Sequence, residues 1–314
     1  MLNRRHIRIK VMQTVYAFNG TESDNLKKDE RFLLDSLENM YDLYLVMLSL
    51  LIEIQKRAED HQQKTQQKLL ATQEEKNPNQ KFIDNQVLKA LRANTLLETE
   101  IEGRKLNYWY LDFEYVEILF KEILESKLYQ NYMASQTSSF EEDRRLIVDL
   151  FTDVIAPNEK IFEYFEDKQL TWIDDLPVVN TSVLKLLKKV KSSSPETHFT
   201  PELFKDLDDK EFAIDLFRKT ILNLSKYGEE IAEKTTNWDA ERIASIDGVL
   251  LKMAICEFQK FSSIPVKVTM NEYLEISKEY STPKSSIFIN GILDKIVKEY
   301  TVKGTLNKMG RGLM

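Results

Sequence analysis

The chain has 314 residues, enough for about two domains of ordinary size. Glycine and proline are scarce, with 8 and 7 residues. Because both mark turns and hairpins, we expect long helices and few strands. One cysteine, three scattered histidines and dispersed glycines exclude an internal disulfide, a cysteine-rich zinc site, a phosphate loop and a dinucleotide fingerprint.

The formal net charge of the whole chain is −7, which argues against nucleic-acid binding. The charge is, however, unevenly distributed along the chain. Residues 1–20 carry four basic residues and no acid, and residues 295–314 carry five basic residues and one acid, which leaves −15 for residues 21–294. The most apolar run, Leu43–Ile52, has about half of the ~20 residues that a membrane-spanning helix needs. We therefore expect a cytoplasmic, helical protein without membrane association, catalytic residues, cofactor or metal.

The first predicted element is a short helix within residues 1–20. Apolar residues at helical spacing predict a buried stripe on it: Ile7, Val11, Val15 and Phe18. Arg4 and Arg8 lie one turn apart on another face, with Arg5 beside them. Cations at this spacing suit a phosphate backbone, although a merely solvated basic face is an equal alternative on this evidence alone.

Residues 21–204 predict further helices. The apolar spacing favours one long helix from about Asp29 to Gln73 and a second helical run over about Phe82–Tyr132. An acidic start, an amphipathic helix and a tryptophan within residues 141–190 recur 66 residues later, with Trp238 in place of Trp172, which indicates a degenerate duplicated unit. Thr200 followed by proline predicts the start of the next helix.

The C-terminal third predicts three helices. An apolar helix ends near Phe258, and Thr269 with Glu272 fits a capping box that would start the next one. Thr282 followed by proline predicts the start of the last helix. Gly291 lies inside that helix, where we expect a close approach of two helices to explain it.

Four segments share residues and order with one bacterial family: Arg4–Tyr16, Trp238–Phe258, Pro265–Glu272 and Ser285–Asp294. They resemble the NusB family of transcription antitermination proteins. The chain departs from that family's pattern at Lys252, where arginine is usual, and the stretch from about Thr21 to Phe204 has no counterpart in its short members.

The resemblance implies an all-α fold, a NusB-like pair of helical bundles with additional inserted helices. Residues 1–20 would form a basic helix packed on the C-terminal core, residues 21–204 a helical insertion, and residues 205–300 the NusB-like domain. Residues 301–314 would form a basic tail, which we expect to be disordered.

The resemblance further implies a non-catalytic, RNA-binding antitermination or elongation factor. Such a protein binds single-stranded boxA-type RNA together with the ribosomal protein NusE, supports rRNA transcription and acts on the RNA polymerase elongation complex indirectly. The resemblance assigns RNA binding to the following residues: Arg4, Arg5, Arg8, Phe288 and Asn290. Single-stranded RNA is commonly bound by stacking bases on aromatic rings, but Phe288 packed in the core and Asn290 bonded within the fold are equal or better alternatives.

Tyr16 and Asp247 match positions that face the ribosomal partner in the family, and an acidic residue suits a basic ribosomal protein. Three alternatives stay open. The chain is a helical protein-interaction scaffold that has lost RNA binding, an RNA-modifying enzyme (for which a glycine-bearing cofactor fold is missing from the sequence), or a homodimer that hides its RNA surface.

Overall fold

The computed structural model describes residues 1–21, 25–68, 70, 72–235 and 245–313, and the structural statements below concern these residues. Trp238, on which the predicted duplication partly depends, lies outside the described residues. In the described residues the chain forms α-helices and short helical turns and no β-strand, which confirms the predicted all-α class. None of the described helices is long and apolar enough to cross a membrane.

The helices divide between two compact units. The terminal unit comprises Met1–Leu37 and Phe204–Met314, and the central unit comprises Glu38–Leu203. The helices are α1 (Arg4–Thr21), α2 (Leu26–Gln66), α3 (Gln73–Lys76), α4 (Gln86–Arg92), α5 (Thr95–Gly103), α6 (Tyr108–Leu111), α7 (Phe113–Glu125), α8 (Lys127–Ala134), α9 (Phe140–Leu150), α10 (Glu159–Lys168), α11 (Thr171–Lys189), α12 (Leu207–Ile221), α13 (Leu224–Lys234), α14 (Ser245–Lys260), α15 (Val266–Tyr280) and α16 (Ser285–Lys303).

The terminal unit is built around α14. This helix contacts α1, α12, α13, α15 and α16. Its apolar residues point to every side and are buried: Val249, Leu250, Leu251, Met253, Ala254, Ile255, Cys256 and Phe258. A helix that is apolar all round has to be surrounded by other elements, which explains its central position.

Helix α1 packs against α12, α14 and α15. The predicted buried stripe is confirmed, because Ile7, Val11 and Val15 are fully inaccessible to solvent, with Phe18 half-buried at the end. Burial extends beyond the stripe to two basic residues, Arg8 and Lys10, each with only 2% of its surface exposed. Much of the positive charge of this helix therefore lies inside the protein.

The core of the central unit is the apolar part of α2. Its residues from Leu43 to Leu51 are buried almost without interruption. The indole N–H of Trp109 donates to the carbonyl of Val46 at 3.0 Å, and the indole N–H of Trp172 donates to that of Asn39 at 2.9 Å. The two tryptophan side chains thus hold α2 in place, because their indole N–H groups donate to carbonyls of its backbone.

The helical run predicted over about Phe82–Tyr132 is in fact five short helices, α4 to α8. Capping side chains divide the run into separate helices. Asn85, Asn94 and Ser126 each accept a hydrogen bond from a backbone amide and so cap the start of a new helix. The long helix predicted from Asp29 to Gln73 is α2, which begins earlier, at Leu26, and ends earlier, at Gln66.

Three predicted helix starts were wrong. Helix α16 begins at Ser285, with Lys284 rather than Thr282 at the cap position. Helix α12 begins at Leu207 rather than after Thr200, because the Asp206 side chain accepts a hydrogen bond from the Asp209 amide and caps it. Helix α15 begins at Val266, directly after Pro265, so Thr269 lies inside the helix instead of capping it.

The expected close approach of two helices at Gly291 was also wrong, because a side chain at this position would meet only open space.

The prediction of a disordered tail was wrong as well. Residues Gly310–Leu313 form a 3-10 turn. The Lys308 ammonium donates to the carbonyls of Glu257 and Phe261, at 3.2 and 2.9 Å. This contact fastens the tail to the last turn of α14 and to the residue that follows it.

Candidate functional site

Arg8 forms a buried ion pair at the centre of the terminal unit. Its guanidinium donates two parallel hydrogen bonds to the carboxylate of Glu257, from Nε at 2.9 Å and from Nη2 at 2.7 Å. Its planar group also lies over the ring of Phe212, 5.1 Å from the centroid. The Arg8 and Glu257 side chains are 2% and 0% exposed. Arg8 therefore has no surface to offer to RNA in this structure and instead fixes α1 on α14.

The remaining acceptor positions of Glu257 are used by α15. The hydroxyl of Thr269 donates to Glu257 at 2.7 Å, and the hydroxyl of Tyr273 donates at 3.3 Å. Burial would lower the pKa of Arg8, but the Glu257 charge and hydrogen bonds raise it above its ordinary value. Burial and the same charge raise the pKa of Tyr273, which keeps its phenol a donor. The buried charges are thus compensated by an ion pair and hydrogen bonds, as burial requires.

Arg4 and Arg5 lie at the surface, and each binds a carboxylate of the terminal unit. Arg5 donates from Nε and Nη2 to both oxygens of Glu272, each at 2.9 Å. Arg4 donates from Nε to Asp209 at 2.8 Å and lies over the Phe212 ring. Both arginine side chains remain 40% exposed. Their free edges are available to a ligand, while their positions are set by acids on α12 and α15.

Hydrogen bonding also fixes the charge of the Arg5–Glu272 pair. The bonds raise the pKa of Arg5 and lower the pKa of Glu272, so both groups are ionised at neutral pH. Glu272, which the sequence pattern assigned to a capping box, therefore acts as an ion-pair partner of α1. The Arg8 guanidinium lies 3.8 Å from the same carboxylate, so the two arginines share it.

The start of α1 borders an open groove of about 1310 Å³. We call it the arginine groove. It is lined by Asn3 to His6 with Arg8, by the segment from Ser262 to Pro265 with the first turns of α15, by Asp208, and by Met309 to Arg311. Residues far apart in the sequence thus meet at one concavity, and three of the five predicted RNA-binding residues line it.

Phe288 and Asn290 lie elsewhere, in the first turns of α16. Phe288 is half-buried and Asn290 is exposed. The start of α16 is fastened to the start of α14, because the hydroxyls of Ser281 and Ser285 donate to the Asp247 carboxylate at 2.6 and 2.7 Å.

Asp247 and Glu257 are ten residues apart on α14, which at the rise of an α-helix is about 15 Å. The arginines of α1 are held near Glu257, and the start of α16 is held near Asp247. The predicted RNA-binding residues therefore form two groups near opposite ends of one helix. A ligand that contacts both groups has to be extended.

The two predicted partner-facing residues have different surroundings. Tyr16 is 46% exposed, and its hydroxyl accepts a hydrogen bond from Ser245 at the start of α14. Asp247 is only 4% exposed, and its oxygens are bound by the serines before and at the start of α16. Tyr16 is available for contact, whereas Asp247 orients α16.

The acids that position the arginines were not predicted from the sequence. Glu257 carried a usable signal, because it is a charged residue in a helix that is apolar all round. Asp209 carried none, since surface acids are common. Among the described residues no group of histidines, cysteines and acids could hold a metal ion.

Comparison with known proteins gives one family. A family model described as the NusB family matches residues 181–298. A protein of Salinibacter ruber named "Transcription antitermination protein NusB" is 44% identical over 112 residues, which cover 36% of this chain and 70% of the relative. Proteins of the same name from Chloroherpeton thalassium and Syntrophotalea carbinolica are 39% and 45% identical over 130 and 87 residues.

The last two matches cover 41% and 28% of this chain and 59% and 56% of those relatives. No solved structure matches the chain. The family model extends from the second half of α11 into α16, and it includes the helices that hold Glu257, Glu272 and Phe288. An identity of 44% across more than two thirds of a relative is decisive. This chain belongs to the NusB family.

Proposed function

We propose that this protein is a non-catalytic transcription antitermination factor that binds single-stranded RNA of the boxA type together with the ribosomal protein NusE. It would act on the RNA polymerase elongation complex indirectly, in the cytoplasm, in support of rRNA transcription. Family membership and the names of the relatives support the general role. The RNA and the ribosomal partner follow from the family resemblance of the motifs described above.

The observation that carries the RNA proposal is the anchoring of α1. The buried pair between Arg8 and Glu257 fixes this helix, so that Arg4 and Arg5 lie half-exposed at the arginine groove. Arginine suits this task because its planar group can bind a carboxylate on one edge and a phosphate on the other. Arg8 then acts by positioning, and the contact falls to Arg4 and Arg5.

The test is RNA binding by the full chain with Arg4→Gln and Arg5→Gln combined. We expect weaker binding of a fluorescent boxA-type RNA and a shallower dependence of affinity on salt, by about 0.7 in the log–log slope for each phosphate that is no longer bound. Arg31→Gln is the control for loss of a surface charge away from the groove, because Arg31 is 84% exposed on α2 and does not line the groove. Equal binding by the unaltered protein and both variants would refute the assignment of the RNA surface.

The proposal for NusE rests on Tyr16 and Asp247, which match positions that face the ribosomal partner in the family. Tyr16 would contact the partner, and Asp247 would keep the start of α16 in place beside it. Tyr16→Ala should weaken the gain in RNA affinity that NusE provides and leave the affinity of the protein alone unchanged.

A protein-interaction scaffold without RNA binding is the second candidate. The observation in its favour is that Arg4, Arg5 and Arg8 all bind carboxylates of their own chain, which compensates their charge. A homodimer that covers the groove would have the same effect on RNA binding. Sedimentation analysis separates these two, since only the dimer changes mass with concentration.

A further inference from the structure

The tail is held against the arginine groove by specific contacts. The Met309 amide donates to the carbonyl of Ser262 at 3.0 Å, and Lys308 binds the last carbonyls of α14. Gly312 is buried, and a side-chain carbon added there would lie 2.0 Å from the Ser262 oxygen. Only glycine fits this contact, so the docked tail depends on Gly312.

This docking brings Arg311 to the groove. Arg311 is exposed and lines the same concavity as Arg4 and Arg5, together with the hydroxyl-bearing residues Ser262 and Ser263. The groove is therefore lined by guanidinium groups from the start of α1 and from the tail. Guanidinium and hydroxyl groups are the side chains that most often contact phosphate oxygens in nucleic-acid complexes.

Arg311 differs from the α1 arginines in its charge balance. Arg4, Arg5 and Arg8 bind Asp209, Glu272 and Glu257, and Asp208 also lies on the groove. The three arginines thus give the groove no positive excess. Among the residues that the structure describes, no carboxylate lies within ion-pair distance of Arg311.

The shape of the groove favours a polymer over a small anion. Its volume of about 1310 Å³ exceeds the roughly 300–1,000 Å³ of pockets that enclose small molecules. It is open, and it is bordered by separate segments of the chain. An extended backbone could lie along it and meet several of its donors in turn.

We propose that the segment Gly304–Leu313 completes the RNA-binding groove and that the Arg311 guanidinium binds a phosphodiester group of single-stranded RNA. The proposal rests on the proposed function and deepens it, since it assigns the uncompensated positive charge to the tail. Lys308 and Gly312 hold the tail in place, and Arg311 makes the contact.

Arg311→Gln in the full chain tests the contact. We expect about twofold to fivefold weaker RNA binding, the size of an exposed ion pair. The log–log salt slope should become shallower by about 0.7, the value for one phosphate of a single strand. Because a phosphate contact carries no sequence information, a boxA-type RNA and a scrambled RNA of equal length should lose affinity by the same factor. Arg31→Gln, with the same change of charge, should leave both values unaltered.

Gly312→Ala tests the docking. It should displace the tail and reproduce the weaker binding seen with Arg311→Gln, while Arg311→Gln combined with Gly312→Ala should bind no more weakly than either one. Circular dichroism verifies that the helices remain folded. A second, independent decrease of affinity in the combined variant would overturn the proposal.

The outcomes separate this proposal from the proposed function. If the Arg4 and Arg5 variant binds RNA more weakly but Arg311→Gln leaves the log–log salt slope unchanged, the role of the tail is overturned. The proposal of RNA binding by the protein then remains intact. Failure of the unaltered protein to bind either RNA overturns both. Weaker binding of boxA-type RNA alone also contradicts the proposal, since it would indicate a base contact.

Discussion

At the scale of single residues, Arg8 and Glu257 hold α1 on α14 and lie too deep to contact a ligand themselves. Their side chains are almost completely buried, and the carboxylate also receives bonds from Thr269 and Tyr273. Removing one member of such a pair leaves a buried charge without compensation, which costs about 3–5 kcal/mol. Of the three arginines that resemble an RNA-binding cluster in the sequence, Arg8 therefore has a structural role, and Arg4 and Arg5 remain at the surface.

Arg8→Ala should lower the free energy of unfolding of the terminal unit by about 3–5 kcal/mol. Amide hydrogen exchange of α14 measures this value, because the slowest amides of that helix report opening of the whole unit. Arg31→Ala, at an exposed position, should change it by less than about 0.5 kcal/mol. An Arg8→Ala protein as stable as the unaltered one would show that the buried pair is dispensable.

Phe288 is the residue at which core packing and base stacking compete. It is half-buried, so part of its side chain stays accessible while the rest is packed. Phe288→Ala should weaken RNA binding by about 1–3 kcal/mol, the value for loss of one stacked base. Ile287→Ala is the neighbouring control, since Ile287 is 76% exposed. An equal decrease of RNA affinity in the two variants would contradict stacking on Phe288.

At the scale of elements, α14 determines the geometry of the site. It holds α1 through Glu257 and the start of α16 through Asp247, and its last carbonyls hold the tail through Lys308. The three segments that carry the proposed RNA contacts are therefore fastened to one rigid helix. Anything that loosens α14 should disturb all three together.

Cys256 provides a direct measure of the integrity of α14. It is fully buried, and burial raises the pKa of its thiol to about 11. Since the thiolate is the reactive form, a thiol reagent near pH 8 should modify the folded protein at least about a hundredfold more slowly than the unfolded chain. Arg8→Ala should speed this modification. Equal rates for folded and unfolded protein would show that α14 is not enclosed.

At the scale of the whole molecule, charge separates along the chain. The acidic residues 21–294 would repel RNA, so the proposed RNA contact would fall to the basic ends of the chain, residues 1–20 and 295–314. The family model begins at residue 181, so the predicted insertion over residues 21–204 has to end before that residue. We propose that residues 21–180 are an insertion relative to shorter relatives and enlarge a surface for protein partners. Most of the central unit, Glu38–Leu203, lies within this range.

The sequence predicted the helical class and the buried stripe of α1, because periodicity is a local property that one segment displays by itself. It did not predict the burial of Arg8, whose partner Glu257 is 249 residues away. Thr269 and Glu272 fit a capping box, but tertiary partners bind both side chains instead. Local patterns predicted the elements, whereas the site depends on contacts between distant segments.

Amide hydrogen exchange of the full chain, with and without single-stranded boxA-type RNA, tests the central claim that RNA binds the terminal unit. We expect slower exchange in α1, in the first turns of α16 and in the tail segment Gly304–Leu313. Exchange in the central unit should stay unchanged. RNA-dependent protection confined to the central unit, or protection nowhere in the chain, would refute binding of RNA to the terminal unit.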